Sequence, residues 1–308
     1  MTLPAERPRS FTLAGTTLPA ARLAPGLHVV ATPIGNLGDI TVRALETLAG
    51  ADVIACEDTR MTRRLLDRYG IDAPLISYHD HNGASMRPKL LARLAGGQAL
   101  ALVSDAGTPL ISDPGYKLVV EVAEAGHRIF PLPGASALLA ALVAAGLPTD
   151  RFLFDGFLPP KPGQRRNRIT ELSRIPSTLV LYETGPRLAE SLADLAEILG
   201  PRRAAVCREL TKAFEEVRRG PLPELAAQYA GERDPKGEIV LVVGPPVAQA
   251  AQDDDVDAAL ARALAEHSLK DAVAAVAALT GRHKREVYAR ALALSQAGES
   301  GEEAPDEA

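Results

Sequence analysis

The 308-residue chain contains no tryptophan, six phenylalanines, six tyrosines and two cysteines. So few rings argue against a pocket walled by aromatics for a flat macrocycle, and against extensive base stacking along a nucleic acid. The two cysteines, Cys56 and Cys207, each lie in an apolar, strand-like run. They exclude a disulfide framework and read as buried thiols. No Cys/His cluster has zinc spacing, so no metal site is expected. Long apolar runs are also missing, because charges interrupt every candidate membrane span. Residues 1–25 carry Glu6, Arg7, Arg9 and four prolines without the apolar stretch of a secretory signal, and read as a disordered extension. A reducing cytoplasm is the expected location. Finally, there is no excess of basic charge. The net charge of −5 equals the five acids of the tail, Glu299, Glu302, Glu303, Asp306 and Glu307, so the remainder is neutral. That balance neither supports nor excludes RNA as a partner.

What is present is an ordinary globular composition, 46% hydrophobic and 24% charged, at a length suited to about two domains. From Leu27 strand-like runs alternate with helical spacing. Runs at Leu27–Ala31, Ala51–Cys56, Leu75–His79, Ala99–Val103 and His127–Leu132 are separated by helical patterns, the last an alanine-rich helix ending at Ala145. This rhythm predicts an α/β domain over residues 26–148 with a mostly parallel sheet. A second α/β domain is expected over 149–246, from runs at Phe152–Leu158, Thr178–Tyr182, Ala204–Cys207 and Glu238–Val243. Beyond a linker with Asp253-Asp-Asp255, three short helical patterns form a helix-turn-helix-like appendage over 254–296, with Gly281 as a helix-ending residue. An acidic coil is expected over 297–308.

Polar or glycine-rich loops follow each of the five strands of the first domain. The longest is Ser104-Asp-Ala-Gly-Thr-Pro-Leu-Ile-Ser-Asp-Pro-Gly115. Open α/β sheets bind ligands at the carboxyl ends of their strands, so five such loops on one edge point to a cleft. Ala31 to Thr41 holds Gly35 and Gly38, with Asp39 or Thr41 able to cap the next helix. It lacks the third glycine of a dinucleotide fingerprint. Glu57-Asp-Thr-Arg60 can pair internally or act on substrate. Ser77-Tyr-His-Asp-His-Asn82 supplies two imidazoles and a carboxylate, an incomplete metal set better suited to proton transfer. Pro131 to Ala137 opens a helix whose free N–H groups can bind an acceptor. Basic clusters occur at Lys161–Arg174, with Arg165, Arg166 and Arg168, and at Arg282, His283, Lys284 and Arg285. Together they make RNA backbone contact a live option beside a plain solvated face.

Thr32-Pro-Ile-Gly-Asn-Leu-Gly-Asp-Ile-Thr41, Glu57-Asp-Thr-Arg60, His79-Asp-His-Asn82, Ser104-Asp-Ala-Gly-Thr-Pro109 with Asp113-Pro-Gly115, and Pro131-Leu-Pro-Gly134 resemble, in this order, the motifs of the tetrapyrrole methylase superfamily. The first loop lacks the Gly-x-Gly-x-Gly-Asp of members that methylate corrin precursors, which favours the branch acting on ribosomal RNA. The resemblance implies two α/β domains with a cofactor cleft between them, S-adenosylmethionine as cofactor, and SN2 methylation of a cytidine 2′-hydroxyl in the decoding region of 16S rRNA by a homodimer. It implies that Pro33, Gly35, Ser104, Asp105, Gly107, Thr108, Ile111, Ala135, Ser136, Tyr182 and the strand after Lys236 surround the cofactor. The candidate proton acceptors are Asp105, His79, His81 and Asp80, with Glu57 and Asp58 behind them. Arg60, Arg165, Arg166, Arg168, Arg187, Arg282, Lys284 and Arg285 are the expected RNA contacts. At Tyr182-Glu-Thr-Gly-Pro-Arg187 the chain has Pro186 where the family often has histidine, so no proton transfer is assigned there. A non-catalytic RNA-binding protein and a small-molecule tetrapyrrole methylase are the alternatives.

Overall fold

The computed structural model describes residues 9–246 and 253–299. The chain divides into two compact units, Met1–Pro245 and Pro246–Ala308. The described chain opens on a hairpin, β1 (Ser10–Leu13) and β2 (Thr16–Pro19), across Ala14 and Gly15. This corrects the expectation of a disordered extension for residues 9–25; residues 1–8 lie outside the described part. Ala14 and Gly15 both have positive φ, 50° and 80°, which suits the twist of a two-residue hairpin turn. Phe11 is 1% exposed and packs in one core cluster with Leu45, Leu48, Leu66 and Tyr69. Burying such a ring stabilises by roughly 2–3 kcal/mol. Arg9 adds an ion pair to Asp52 at 2.8 Å.

The first sheet is built from β3 (Gly26–Val30), β4 (Val53–Cys56), β5 (Leu75–Ser77), β6 (Ala99–Leu102) and β7 (Ile129–Leu132). Between them run α1 (Val42–Gly50), α2 (Thr59–Arg68), α3 (Gly83–Ala95) and α4 (Tyr116–Glu124), and α5 (Ala137–Ala145) follows β7. The order is β5-β4-β6-β3-β7, all parallel. Every residue of β6, Ala-Leu-Ala-Leu, is buried, as a central strand covered on both faces requires. All five carboxyl ends therefore lie along one edge. Thr41, rather than Asp39, caps α1 by accepting from the Ala44 N–H at 3.1 Å.

The second sheet contains β8 (Phe152–Phe157), β9 (Thr178–Thr184), β10 (Arg203–Arg208), β11 (Glu216–Pro221) and β12 (Glu238–Val243), in the order β11-β10-β12-β9-β8. Only β8 and β9 are parallel. Its helices are α6 (Pro162–Ser173), α7 (Gly185–Leu199) and α8 (Leu222–Ala230). The two sheets share a core. Ala141, Leu142 and Ala145 of α5 pack with Val180, Ala205, Cys207, Val240 and Val242 of the second sheet. Both cysteines are free and buried, and burial pushes both thiols up.

Helix α6 occupies the basic cluster expected to grip RNA, and the structure corrects that expectation for Arg165. It is 3% exposed and bonded to Asp194 at 2.6 Å and Glu190 at 3.2 Å on α7. Arg166 pairs with Asp194 and Glu197, and Arg168 with Asp155 and Glu171. The positive charge of α6 is spent on fastening it to its neighbours.

The second unit comprises α9 (Asp253–Glu266), α10 (Leu269–Thr280) and α11 (Lys284–Glu299), closed around Val256, Leu260, Val273, Val276 and Val287. Ser268 caps α10, and Gly281 ends it in the left-handed conformation at φ 68°. Residues 297–299, expected as acidic coil, continue α11; the tail from 300 onward lies outside the described residues. Among the described residues, no helix is long and apolar enough to cross a membrane.

Candidate active site

The loops after β3 and β6 are zipped together by Thr32 and Gly107, whose backbone N–H groups each donate to the other's carbonyl, at 2.8 and 3.0 Å. Thr108 extends this seam, donating its hydroxyl to the Ala135 carbonyl at 3.1 Å after β7. Behind the seam, Ser104 is 4% exposed and donates to the carbonyls of Ala106 (3.2 Å) and Gly107 (3.3 Å). The loop is thus held in shape by its own polar groups. Leu110 and Ser112 sit at φ 75° and 62°, a conformation that non-glycine residues adopt at a cost.

This loop forms one wall of a cavity of about 280 Å³ between the two sheets. Of the residues expected around a cofactor, Asp105, Gly107, Thr108, Ile111, Ser136 and Tyr182 line this cavity. Pro33 and Gly35 flank the lining residue Ile34 without lining the cavity themselves, Ser104 lies beneath it, and Ala135 contributes the carbonyl that holds Thr108. Gly237, Glu238, Ile239 and Val240 complete the opposite wall, where the strand after Lys236 was expected. Asp113, Phe157 and Glu183 also line it and were not expected from the sequence. Asp113 belongs to the long loop after β6 and carried a readable signal; Phe157 and Glu183 depend on how β8 and β9 pair, which no local pattern displays.

An adjoining open recess of about 510 Å³ is lined by Glu57, Asp58, Thr59, Arg60, Ser77, His79, Asp80, His81 and Asp105. Asp105 is the residue common to both spaces. Its Oδ1 accepts the Asp58 backbone N–H at 3.0 Å, which ties the loop after β6 to the loop after β4. Asp58 itself caps α2 and pairs with Arg60 at 2.7 Å; the Arg60 side chain holds its carboxyl down at about 2. This corrects the expectation that Asp58 could take a proton, because a carboxylate so engaged is a poor acceptor. Burial, followed by the Asp105 and Asp80 charges, raises Glu57. Asn82 closes its own turn, donating to the Ser77 carbonyl and accepting the His79 N–H. His79 and His81 stand edge to face, 5.9 Å apart. Among the described residues, no group of three or more His, Cys, Asp or Glu is placed to hold a metal ion.

Of the remaining expected RNA contacts, Arg187 donates to the Leu158 carbonyl at 2.6 Å and lies 3.4 Å from Glu183, so it braces the second sheet. Arg282 pairs with Glu286, whereas Lys284 and Arg285 are exposed.

Burial first, and then the Glu57 charge, push the Asp113 carboxyl up to about 6 from an ordinary 3.8. A carboxyl raised on folding lowers stability as pH rises through the interval from about 4 to 6. Asp113→Asn is therefore expected to stabilise the protein at pH 8 and to leave it unchanged at pH 4. The gain is about 1 kcal/mol, because Asp113 is only partly buried and solvent screens much of the interaction. Urea midpoints at the two pH values check this; equal shifts at both contradict it.

Residues 26–226 match the family model of tetrapyrrole (corrin/porphyrin) methylases, and residues 250–295 match that of the RsmI C-terminal HTH domain. A protein of Mesorhizobium japonicum named ribosomal RNA small subunit methyltransferase I is 54% identical over 93% of this chain and 98% of its own length. Its namesake from Escherichia coli O157:H7 is 48% identical over 86% and 94%. The chain belongs to the tetrapyrrole methylase family, among the ribosomal RNA small subunit methyltransferase I proteins. Solved structures share the fold at low identity. The methyltransferase CobJ superposes with a TM-score of 0.55 at 21% identity, over 72% of this chain and 95% of that one. Diphthine synthase gives 0.54 at 18% identity, over 71% and 89%. The family match begins at residue 26, so the β1–β2 hairpin stands outside it.

Proposed function

We propose that this chain uses S-adenosylmethionine to methylate the ribose 2′-hydroxyl of a cytidine in the decoding region of 16S rRNA, in the cytoplasm. The observation that carries this reading is the pair of spaces meeting at Asp105: a cavity between the sheets and a more open recess beside it. The names of the relatives, ribosomal RNA small subunit methyltransferase I, support the substrate class.

The cavity suits the cofactor. Asp105 and Asp113 give it an acidic lining that favours a positive sulfonium and amine, while Ile34, Ile239, Val240, Phe157 and Tyr182 offer apolar and aromatic faces for an adenine. S-adenosylmethionine bound there supplies an electrophilic methyl group and leaves as a neutral thioether. The chain's own residues orient the acceptor and take its proton. Asp105 is the proposed proton acceptor, because its carboxylate reaches both the cavity and the recess through which a nucleotide enters. Holding the hydroxyl, the base and the methyl group in line supplies much of the rate enhancement. His79, His81 and Asp80 line the recess and are proposed to contact the nucleotide.

Methyl transfer to small ribosomal subunits, with the modified nucleotide mapped by mass spectrometry, tests the reading. A 2′-O-methylated cytidine in the decoding region is expected; no transfer, or a methyl group on a base, contradicts it.

The exposed Lys284 and Arg285 at the start of α11 are proposed to contact rRNA phosphates. Lys284→Glu with Arg285→Glu should weaken subunit binding and reduce the slope of log affinity against log salt by roughly 1 for each phosphate no longer neutralised. An unchanged slope contradicts the role. Leu139 and Val143, one turn apart on α5, are 51% and 81% exposed. This apolar stripe supports pairing of two chains, which a monomer mass in sedimentation would contradict.

A further inference from the structure

The loop between β10 and β11, Glu209 to Glu215, is bonded on one side to the segment after β3 and on the other to the start of β12. Towards the first sheet, the aliphatic stem of Lys212 lies on Gly35, where any Cβ would collide with it, and the Asn36 N–H donates to the Thr211 hydroxyl at 3.2 Å. Towards the second sheet, Glu209 lies on Gly237 in the same intimate way and accepts the Glu238 N–H at 3.1 Å. Ile34, Gly237 and Glu238 line the cavity, so the loop sits directly beside its lining.

The loop is rigid by construction. Glu209 and Thr211 both have positive φ, 50° and 66°, and for a β-branched threonine that conformation is a strained one. Polar bonds hold it there. The Lys212 N–H donates to the Glu209 carbonyl at 3.0 Å, the Glu215 N–H to the Lys212 carbonyl at 3.1 Å, and the Thr211 N–H to the Glu215 carboxylate at 2.6 Å. Leu210 is buried at 8% exposure. The Lys212 ammonium is shared between Glu209 at 2.6 Å and Glu238 at 2.9 Å, so its charge is answered within the protein and is not offered to a phosphate. Phe214 is the exception to this anchoring, with 76% of its surface exposed.

A single exposed hydrophobic residue is ordinary on a protein surface. An aromatic ring displayed from a strained loop that is anchored on two sides and lies against the lining residues Gly237 and Glu238, in a chain with six phenylalanines and no tryptophan, is a different matter. We infer that Phe214 is a stacking platform for a nucleobase of the RNA that enters the site, an inference that rests on the function proposed above. A nucleotide whose ribose reaches a catalytic cavity must leave its stack, and its base or its neighbour's then needs a new π-partner. A ring carried on a loop already fixed in place meets that need without the loop being ordered on binding. The contact is neutral and sequence-tolerant, unlike the phosphate contacts of lysines and arginines.

The test uses the full chain, small ribosomal subunits and labelled S-adenosylmethionine, with Phe214→Ala, Phe214→Tyr and the parent. Phe214→Ala is expected to raise KM for subunits about 10-fold while kcat stays within about 2-fold, and Phe214→Tyr to restore the parental KM, because it keeps the ring face. Affinity for S-adenosylhomocysteine and the sedimentation mass should not move. An unchanged KM in Phe214→Ala overturns the inference, as does a tyrosine variant as poor as alanine. So does a changed mass, which would assign the ring to a contact between chains. If the parent itself transfers no methyl group, the proposed function fails and the stacking role with it; a competent parent beside an unaffected alanine variant removes the stacking role alone.

Discussion

Asp105→Asn is expected to lower kcat for methyl transfer by roughly 10²- to 10⁴-fold, the usual worth of a positioned general base. Asparagine keeps an oxygen to accept the Asp58 N–H, which Asp105 now accepts at 3.0 Å, so the seam between the two loops survives. Affinity for S-adenosylhomocysteine should stay within about 3-fold, because the cavity retains its shape and the Asp113 carboxyl. The split between turnover and affinity is the informative quantity. Unchanged turnover removes Asp105 as the base and returns the role to His79, His81 or Asp80. A loss of affinity with turnover preserved would make it a cofactor ligand instead.

Gly185→Ala is expected to be the most damaging of the small substitutions, costing about 4 kcal/mol or more, a size reserved for backbone collisions and comparable faults. Gly185 is the first residue of α7 and is buried. A Cβ there would fall inside the van der Waals radius of the Pro235 carbonyl oxygen, a backbone atom that cannot swing away. Either α7 or the segment leading into β12 must move, and both border the cavity, through Thr184 on one side and Gly237 on the other. The melting temperature should therefore fall by roughly 10 °C or more, and affinity for S-adenosylhomocysteine should fall with it. Gly163→Ala, in α6 where nothing lies near the added carbon, is the control and should change stability by no more than about 1 kcal/mol. Equal melting temperatures for Gly185→Ala and the parent would show that the two segments do not meet so closely.

The first sheet was legible because each strand is short, apolar and followed by a helix of clear period. Ala99–Leu102 is the plainest case, all small and aliphatic and all buried. The five polar strand ends were legible for the same reason, since a parallel sheet sends every carboxyl end to one edge. What the sequence hid was partnership. Arg165 and Arg166 of α6 looked like part of an RNA-binding patch because their acids, Glu190, Asp194 and Glu197, lie more than twenty residues away on α7, and Arg168 because its main partner, Asp155, lies on β8. The hairpin was hidden by Ala14, which occupies a left-handed turn position where glycine, asparagine or aspartate would have announced it. The far wall of the cavity belongs to a sheet of mixed direction whose order, β11-β10-β12-β9-β8, brings Tyr182 and Val240 side by side from distant parts of the chain. Local periodicity carries no trace of that. Asp58 was a matter of competition: one carboxylate at a strand end can cap the next helix or serve a substrate, and here the Arg60 N–H and guanidinium claim it.

The cavity between the two sheets is proposed to hold the cofactor. Calorimetric titration of the parent and of Ala106→Trp with S-adenosylhomocysteine tests it most directly, since Ala106 lines the cavity and an indole there fills it. One saturable equivalent per chain in the parent, lost in Ala106→Trp with the melting temperature kept, is the predicted result. Binding that is equally tight in both proteins, or absent from the parent, would contradict it.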